Sequence, residues 1–139
     1  MHIVILGTAW PYRGGLATFN ERLAHQFMAE RHTVDIVTFK LQYPDFLFPG
    51  KTQYSDAPQP RDLHIERAMN SISPFSWFKT GRMIRKMNTD VLVIKFWIPL
   101  MAPCLGTIAR IARRKGIRVV SILDNVIPHE PKPWDKILI

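Results

Sequence analysis

At 139 residues, 47% hydrophobic and 22% charged, the chain has the size and balance of one globular domain with a sizeable core, not two domains. Lys and Arg number 19 against 11 Asp and Glu, a net charge of +8. The single cysteine, Cys104, excludes an internal disulfide and a cysteine metal cluster, and its apolar neighbours favour a buried small hydrophobe.

Met1-His2 carries no basic leader region and the apolar run stops at Gly7, so no signal peptide is expected and a cytoplasmic location follows. The run His2-Ile-Val-Ile-Leu-Gly7 predicts a strand, Thr8 to Arg13 a loop, and Gly14-Gly15 the opening of a helix from Leu16 to roughly Arg31. A glycine pair at a helix start leaves backbone N–H groups aimed at open space, and the helix dipole adds partial positive charge there. A diphosphate fits such a spot without a cationic side chain, although glycine between strand and helix also serves as a plain turn. Six residues separate Gly7 from Gly14 and no third glycine follows, which disfavours the G-x-G-x-x-G dinucleotide pattern. Gly15 is followed by Leu16 and not by Gly-Lys-Ser/Thr, which disfavours a P-loop.

Val34–Phe39 reads as a β-branched strand, followed over residues 41–59 by a long loop holding Tyr43, Phe46, Phe48 and Tyr54. Leu63–Ile65 and its neighbours predict a short strand. Ser73-Pro74 reads as N-cap and first position of a helix running to about Asn88, with Lys79, Arg82 and Lys86 at helical spacing and Arg85 beside them. The apolar stretch Val91–Ala109 holds one charge, Lys95, but Pro99 and Pro103 divide it into a strand over Asp90–Phe96 and a helix from about Pro99 to Lys115. A strand, loop and helix cannot cross lipid, so no transmembrane span is expected. Ile117–Leu123 is the last clear strand, and Pro133-Trp134-Asp135 begins a helix with little more than one turn of sequence left. Strands alternating with helices predict an α/β fold, a Rossmann-like doubly wound parallel sheet with helices on both faces.

The run Ile3-Val-Ile-Leu-Gly-Thr-Ala-Trp-Pro-Tyr-Arg-Gly-Gly-Leu-Ala-Thr-Phe19 resembles the start of a GT-B glycosyltransferase of the retaining family 4. Leu23-Ala24 and the segment Arg31-His32-Thr33-Val34-Asp35-Ile36-Val37-Thr38 are similar to that family's first helix end and second strand, except that the glycine expected between Arg31 and His32 is missing. A third region of similarity is Lys95 to Pro103 and then Val119 to Glu130, where Asn125 and Pro128-His129-Glu130 match and Asp124 stands where the family usually has histidine. The resemblance implies the amino-terminal, acceptor-side domain of a GT-B enzyme, truncated, with the second, donor-binding domain absent. Such a piece alone is expected to be inactive, while its parent would transfer a hexose-like sugar from a nucleotide-diphosphate donor to a glycan, lipid or small-molecule hydroxyl. It further implies that Gly14 and Gly15 bind the donor diphosphate, that Arg13 and Asn125 contact donor or acceptor, and that Asp124 and His129 serve catalysis. No metal or other cofactor is expected, because the chain has no Asp-x-Asp triplet and the helix terminus can neutralise the phosphate charge. Read from the residues alone, Asp124-Asn125 equally suits a turn, His129 a loop cap, and Trp97 beside Pro99 ordinary packing.

The positive charge gathers on Lys79–Lys86 and on Arg110, Arg113, Arg114 and Lys115. The second group suits the dipole at a helix end before Gly116, and the remainder suits peripheral contact with anionic lipid headgroups. Nucleic acid is disfavoured, since aromatic residues are not interleaved with the basic ones. Two other readings stay open: a non-enzymatic Rossmann-like nucleotide-binding module, and a membrane-surface interaction domain.

Overall fold

The computed structural model describes residues 1–12, 14–41, 57–96 and 101–123. Five strands, β1 (His2–Leu6), β2 (Thr33–Leu41), β3 (His64–Asn70), β4 (Val91–Phe96) and β5 (Arg118–Leu123), alternate with α1 (Gly15–Ala29), α2 (Pro74–Lys86) and α3 (Ala102–Arg114). All strand pairings are parallel and the sheet order is β3-β2-β1-β4-β5, so the protein has the expected Rossmann-like doubly wound α/β fold.

Alternation along the central strands explains the two layers. Ile3 and Ile5, with Val34, Ile36 and Val93, pack with Ala24, Leu23 and Phe27 of α1. Their neighbours Val4, Leu6, Val37, Phe39, Leu92 and Ile94 pack instead with Ile84 of α2 and with Cys104, Leu105, Ile108 and Ala112 of α3. Parallel strands covered on both faces need apolar side chains at both parities, which is why β1 and β4 read as nearly unbroken apolar runs. Cys104 lies fully within this second layer, and burial pushes its thiol up to about 12, so it remains an unreactive thiol at neutral pH. Among the described residues, no helix is long and apolar enough to cross a membrane.

Several boundaries differ from expectation for local reasons. β3 continues to Asn70, well past the short strand around Leu63–Ile65, because its edge position takes register from β2 (Ile36 opposite Ile65, Thr38 opposite Arg67) more than from its own apolar content. Ser73 sits at the N-cap of α2 as expected but makes no side-chain cap. Ser76 instead ties the first turn of α2 back to the end of β3, its hydroxyl accepting from Asn70 N (2.9 Å) and sharing its one proton between Ser73 O (2.8 Å) and Asn70 O (3.0 Å). α3 starts at Ala102; Pro99 and Trp97, most of the aromatic loop, and the helix expected from Pro133 lie outside the described residues.

The three helices among the described residues each end on a left-handed residue: Arg31 (φ 70), Asn88 (φ 55) and Gly116 (φ 88). At α1 the closing bonds run from His32 N to Phe27 O and from Arg31 N to Met28 O, both 3.0 Å, so arginine fills the place that glycine usually takes in this motif. Arg31→Gly is therefore expected to stabilise the fold by about 0.5–1 kcal/mol, read as a raised urea midpoint with unchanged slope. A drop in midpoint would show that the Arg31 side chain does more than tolerate the turn.

At the amino-terminal ends of the strands, Asp35 joins β1, β2 and β3. Its carboxylate lies 2.5 Å from His2 Nε2 and 2.5 Å from His64 Nδ1, while the backbone N–H of His2 donates to Asp90 Oδ2 at 2.7 Å.

Candidate functional site

The sheet order places the switch of chain direction between β1 and β4: α1 carries the chain from β1 outward to β2, and α3 carries it from β4 outward to β5. A crevice at the carboxyl ends of those strands is where ligands settle in this architecture. The β1–α1 loop forms one side of it, and the fold holds that loop firmly from beneath. Gly7 N donates to Val37 O (3.1 Å), Ala9 N to Thr38 Oγ1 (3.1 Å), and Tyr12 N to Ala9 O (3.0 Å). Asn20, in the second turn of α1, donates its amide to Thr8 O at 2.8 Å, and Glu21 accepts from Trp10 N at 3.2 Å. The Trp10–Pro11 peptide is cis, and the Trp10 indole N–H donates to Ala57 O at 2.9 Å.

The loop ends at the exposed pair Gly14-Gly15. Gly14, the N-cap of α1, has φ 116 and ψ −179, a combination essentially reserved for glycine. Gly15 has no such backbone demand, and a Cβ on either glycine would meet nothing within 4 Å. The first helical bond of α1 runs from Thr18 N to Gly14 O (3.1 Å), which leaves the N–H groups of Gly15, Leu16 and Ala17 without intrahelical acceptors. No side chain caps this end and no acid stands in its first turn. Bare donors with the dipole behind them attract an anion. Gly14 also borders a shallow cavity of about 180 Å³ shared with Trp10, Tyr12, Glu21 and Ala57.

Lys95 is the functional candidate that sequence reasoning missed. It lies near the carboxyl end of β4 at 3% exposure, with Nζ 3.7 Å from the centroid of the Phe19 ring on α1. A buried cation at a switch point is costly unless its charge is used, and the aromatic face supplies part of the compensation. The signal in the sequence is the lone charge in Val-Leu-Val-Ile-Lys-Phe, at the end of a buried strand. Beside it, Asn20 is fully buried and its Oδ1 has no hydrogen-bond partner among the described residues. Gly7 makes the close approach feasible, since a Cβ there would fall 2.9 Å from Asn20 Nδ2 and 3.2 Å from Lys95 Cβ.

Of the residues singled out from the sequence, Gly14 and Gly15 stand at the open edge of the sheet. Arg13, Asp124, Asn125 and His129 lie outside the described residues. Leu123, which precedes Asp124, pairs with Phe96 at the same carboxyl edge. Among the described residues no group of His, Cys, Asp and Glu is arranged to hold a metal.

No family model and no curated protein matches the sequence. Among solved structures, the chain is similar to the C-terminal domain of a hydrogenase from Pyrococcus furiosus, with a TM-score of 0.48 and 11% identity over 87% of this chain and 90% of that one.

Proposed function

We propose that the chain is the acceptor-side domain of a retaining GT-B glycosyltransferase, whose parent moves a hexose-like group from a nucleoside-diphosphate sugar to a hydroxyl of a glycan, lipid or small molecule. The observation that carries this reading is the uncapped, glycine-opened start of α1 at the carboxyl edge of a doubly wound sheet. As the glycosidic bond to the donor phosphate breaks, negative charge builds on the leaving diphosphate. The N–H groups of Gly15, Leu16 and Ala17 stabilise that charge without reorganising, the role a helix end performs where other enzymes use a metal. Lys95 adds a fixed positive charge near the same strand ends, and Arg13 holds a phosphate oxygen. Asp124 and His129 serve the transfer and Asn125 orients a sugar, as the resemblance implies. A second domain facing this one supplies most donor contacts, so the chain alone binds diphosphate weakly and does not turn over.

The test is an amide-resolved NMR titration with pyrophosphate and with UDP. The expected result is that Gly15, Leu16 and Ala17 move most, with a dissociation constant of about 1 mM. Gly15→Ala should keep the fold, because its methyl enters open space, yet weaken binding about tenfold by standing in the anion's path. Amides that stay still at about 10 mM pyrophosphate, or a Gly15→Ala variant that binds as well as the parent chain, would sink the reading.

A further inference from the structure

α2 shows solvent a single stripe, and that stripe is of two kinds. Successive residues of a helix turn by about 100°, so Phe75, Phe78, Lys79, Arg82 and Lys86 fall within one arc of roughly 100°. All five are exposed, while Thr80, Gly81 and Ile84 on the other side are buried. Phe75 is 89% exposed and Phe78 53%, and Ile72, just before the helix, is 56% exposed. Single exposed apolar residues are ordinary, but three large ones within seven positions make a patch. The two phenylalanines occupy the amino-terminal half of the stripe and the cations the remainder. Among the described residues, none of Lys79, Arg82 and Lys86 has an ion-pair partner. Next to the stripe a groove of about 960 Å³ adds Lys40 and Arg67, with Glu66 its one acidic lining residue.

We infer that this face of α2 docks on an anionic lipid surface, Phe75, Phe78 and Ile72 entering the headgroup boundary and Lys79, Arg82 and Lys86 lying against the phosphates. Charge complementarity selects this occupant. A face with five cations to one acid fits a negative plane, and an apolar cluster beside it fits the only such plane that also has an oily interior. A second copy of the chain would bring another positive stripe against this one. A single-stranded nucleic acid needs rings spaced between the cations to stack its bases, whereas here the rings are grouped at one end with an isoleucine that cannot stack. Among the described residues, the other basic group, Arg110, Arg113 and Arg114 on α3, has no comparable cluster of exposed large hydrophobics beside it. Lipid docking is independent of the diphosphate reading, because every residue involved lies on α2, the turn before it, β2 or β3.

The experiment is flotation of the chain with phosphatidylcholine vesicles, with and without about one-third phosphatidylglycerol, at low and high salt. Binding is expected only to the anionic vesicles, and high salt should release most of it. Lys79→Gln/Arg82→Gln/Lys86→Gln should weaken partitioning about a hundredfold, and Phe75→Ser/Phe78→Ser about tenfold with the salt dependence retained. Both sets alter exposed positions, and circular dichroism will confirm that each variant is folded. Arg110→Gln/Arg113→Gln/Arg114→Gln should bind within about twofold of the parent chain, because the same net charge is removed from a helix that lacks the apolar cluster. Equal loss in this control would reduce the effect to overall charge and overturn the inference. It would equally be overturned by no flotation with anionic vesicles, by Phe75→Ser/Phe78→Ser floating like the parent, or by an α2-dependent dimer or oligonucleotide complex forming in place of vesicle binding.

Discussion

Gly81→Val is expected to destabilise the protein by about 3 kcal/mol and to lower its melting temperature by roughly 10 °C. Gly81 is buried in α2 where α3 crosses it, and a Cβ at that position would fall 2.9 Å from each of Cβ, Cγ2 and Cδ1 of Ile111. Three carbon contacts at that distance force the helices apart, and neither helix can move without lifting its apolar residues from the sheet. Alanine at the same place should be milder, because its better helix propensity returns about 1 kcal/mol. Ile111→Ala removes two of the three obstructing atoms, so combining it with Gly81→Val should cost at least about 1 kcal/mol less than the two single costs added. Chemical denaturation of the four proteins measures this coupling. Simple additivity would mean that α2 and α3 do not meet at this point.

Gly7→Val is the second change expected to be severe, and it acts on fold and site together. The new side chain must displace Asn20, whose buried amide holds the Thr8 carbonyl, and must press on Lys95. Overpacking combined with loss of the Asn20–Thr8 hydrogen bond should cost about 3 kcal/mol. Asn20→Ala, which removes the same bond without adding bulk, should cost about 1–2 kcal/mol. Because the displaced atoms support the β1–α1 loop, Gly7→Val should also abolish the response of Gly15 to pyrophosphate at temperatures where the variant is still folded. A Gly7→Val protein as stable as the parent would contradict the close approach of β1, α1 and β4.

How much of this was legible depended on how local the cause was. β1, β2, β4 and β5 appear close to the expected positions because each is a β-branched run covered on at least one face. β3 was underestimated, since its polar Glu66-Arg67 centre is strand only by virtue of β2 beside it. Ser73 marked the start of α2 correctly, yet which serine hydroxyl does the bonding depended on the backbone path from Asn70. The absent glycine after α1 was visible, and the structure shows its consequence in the left-handed Arg31. Lys95 was visible as a charge, but the face it occupies follows from the registers of β1 and β4, which join residues some ninety positions apart. For Phe75 and Phe78 the helix was evident and the exposure was not, because exposure is set by the side on which α3 lies. Gly14 and Gly15 were legible because a helix start without a capping side chain is written in the local sequence alone.

The carboxylate of Asp35, shared between His2 and His64, ties the amino-terminal ends of three neighbouring strands into one unit. The sheet is therefore clasped at its amino-terminal end like a fan at its handle, with Gly14 and Gly15 at the spread end. Cutting the clasp with Asp35→Asn would loosen the handle first, far from any bound anion.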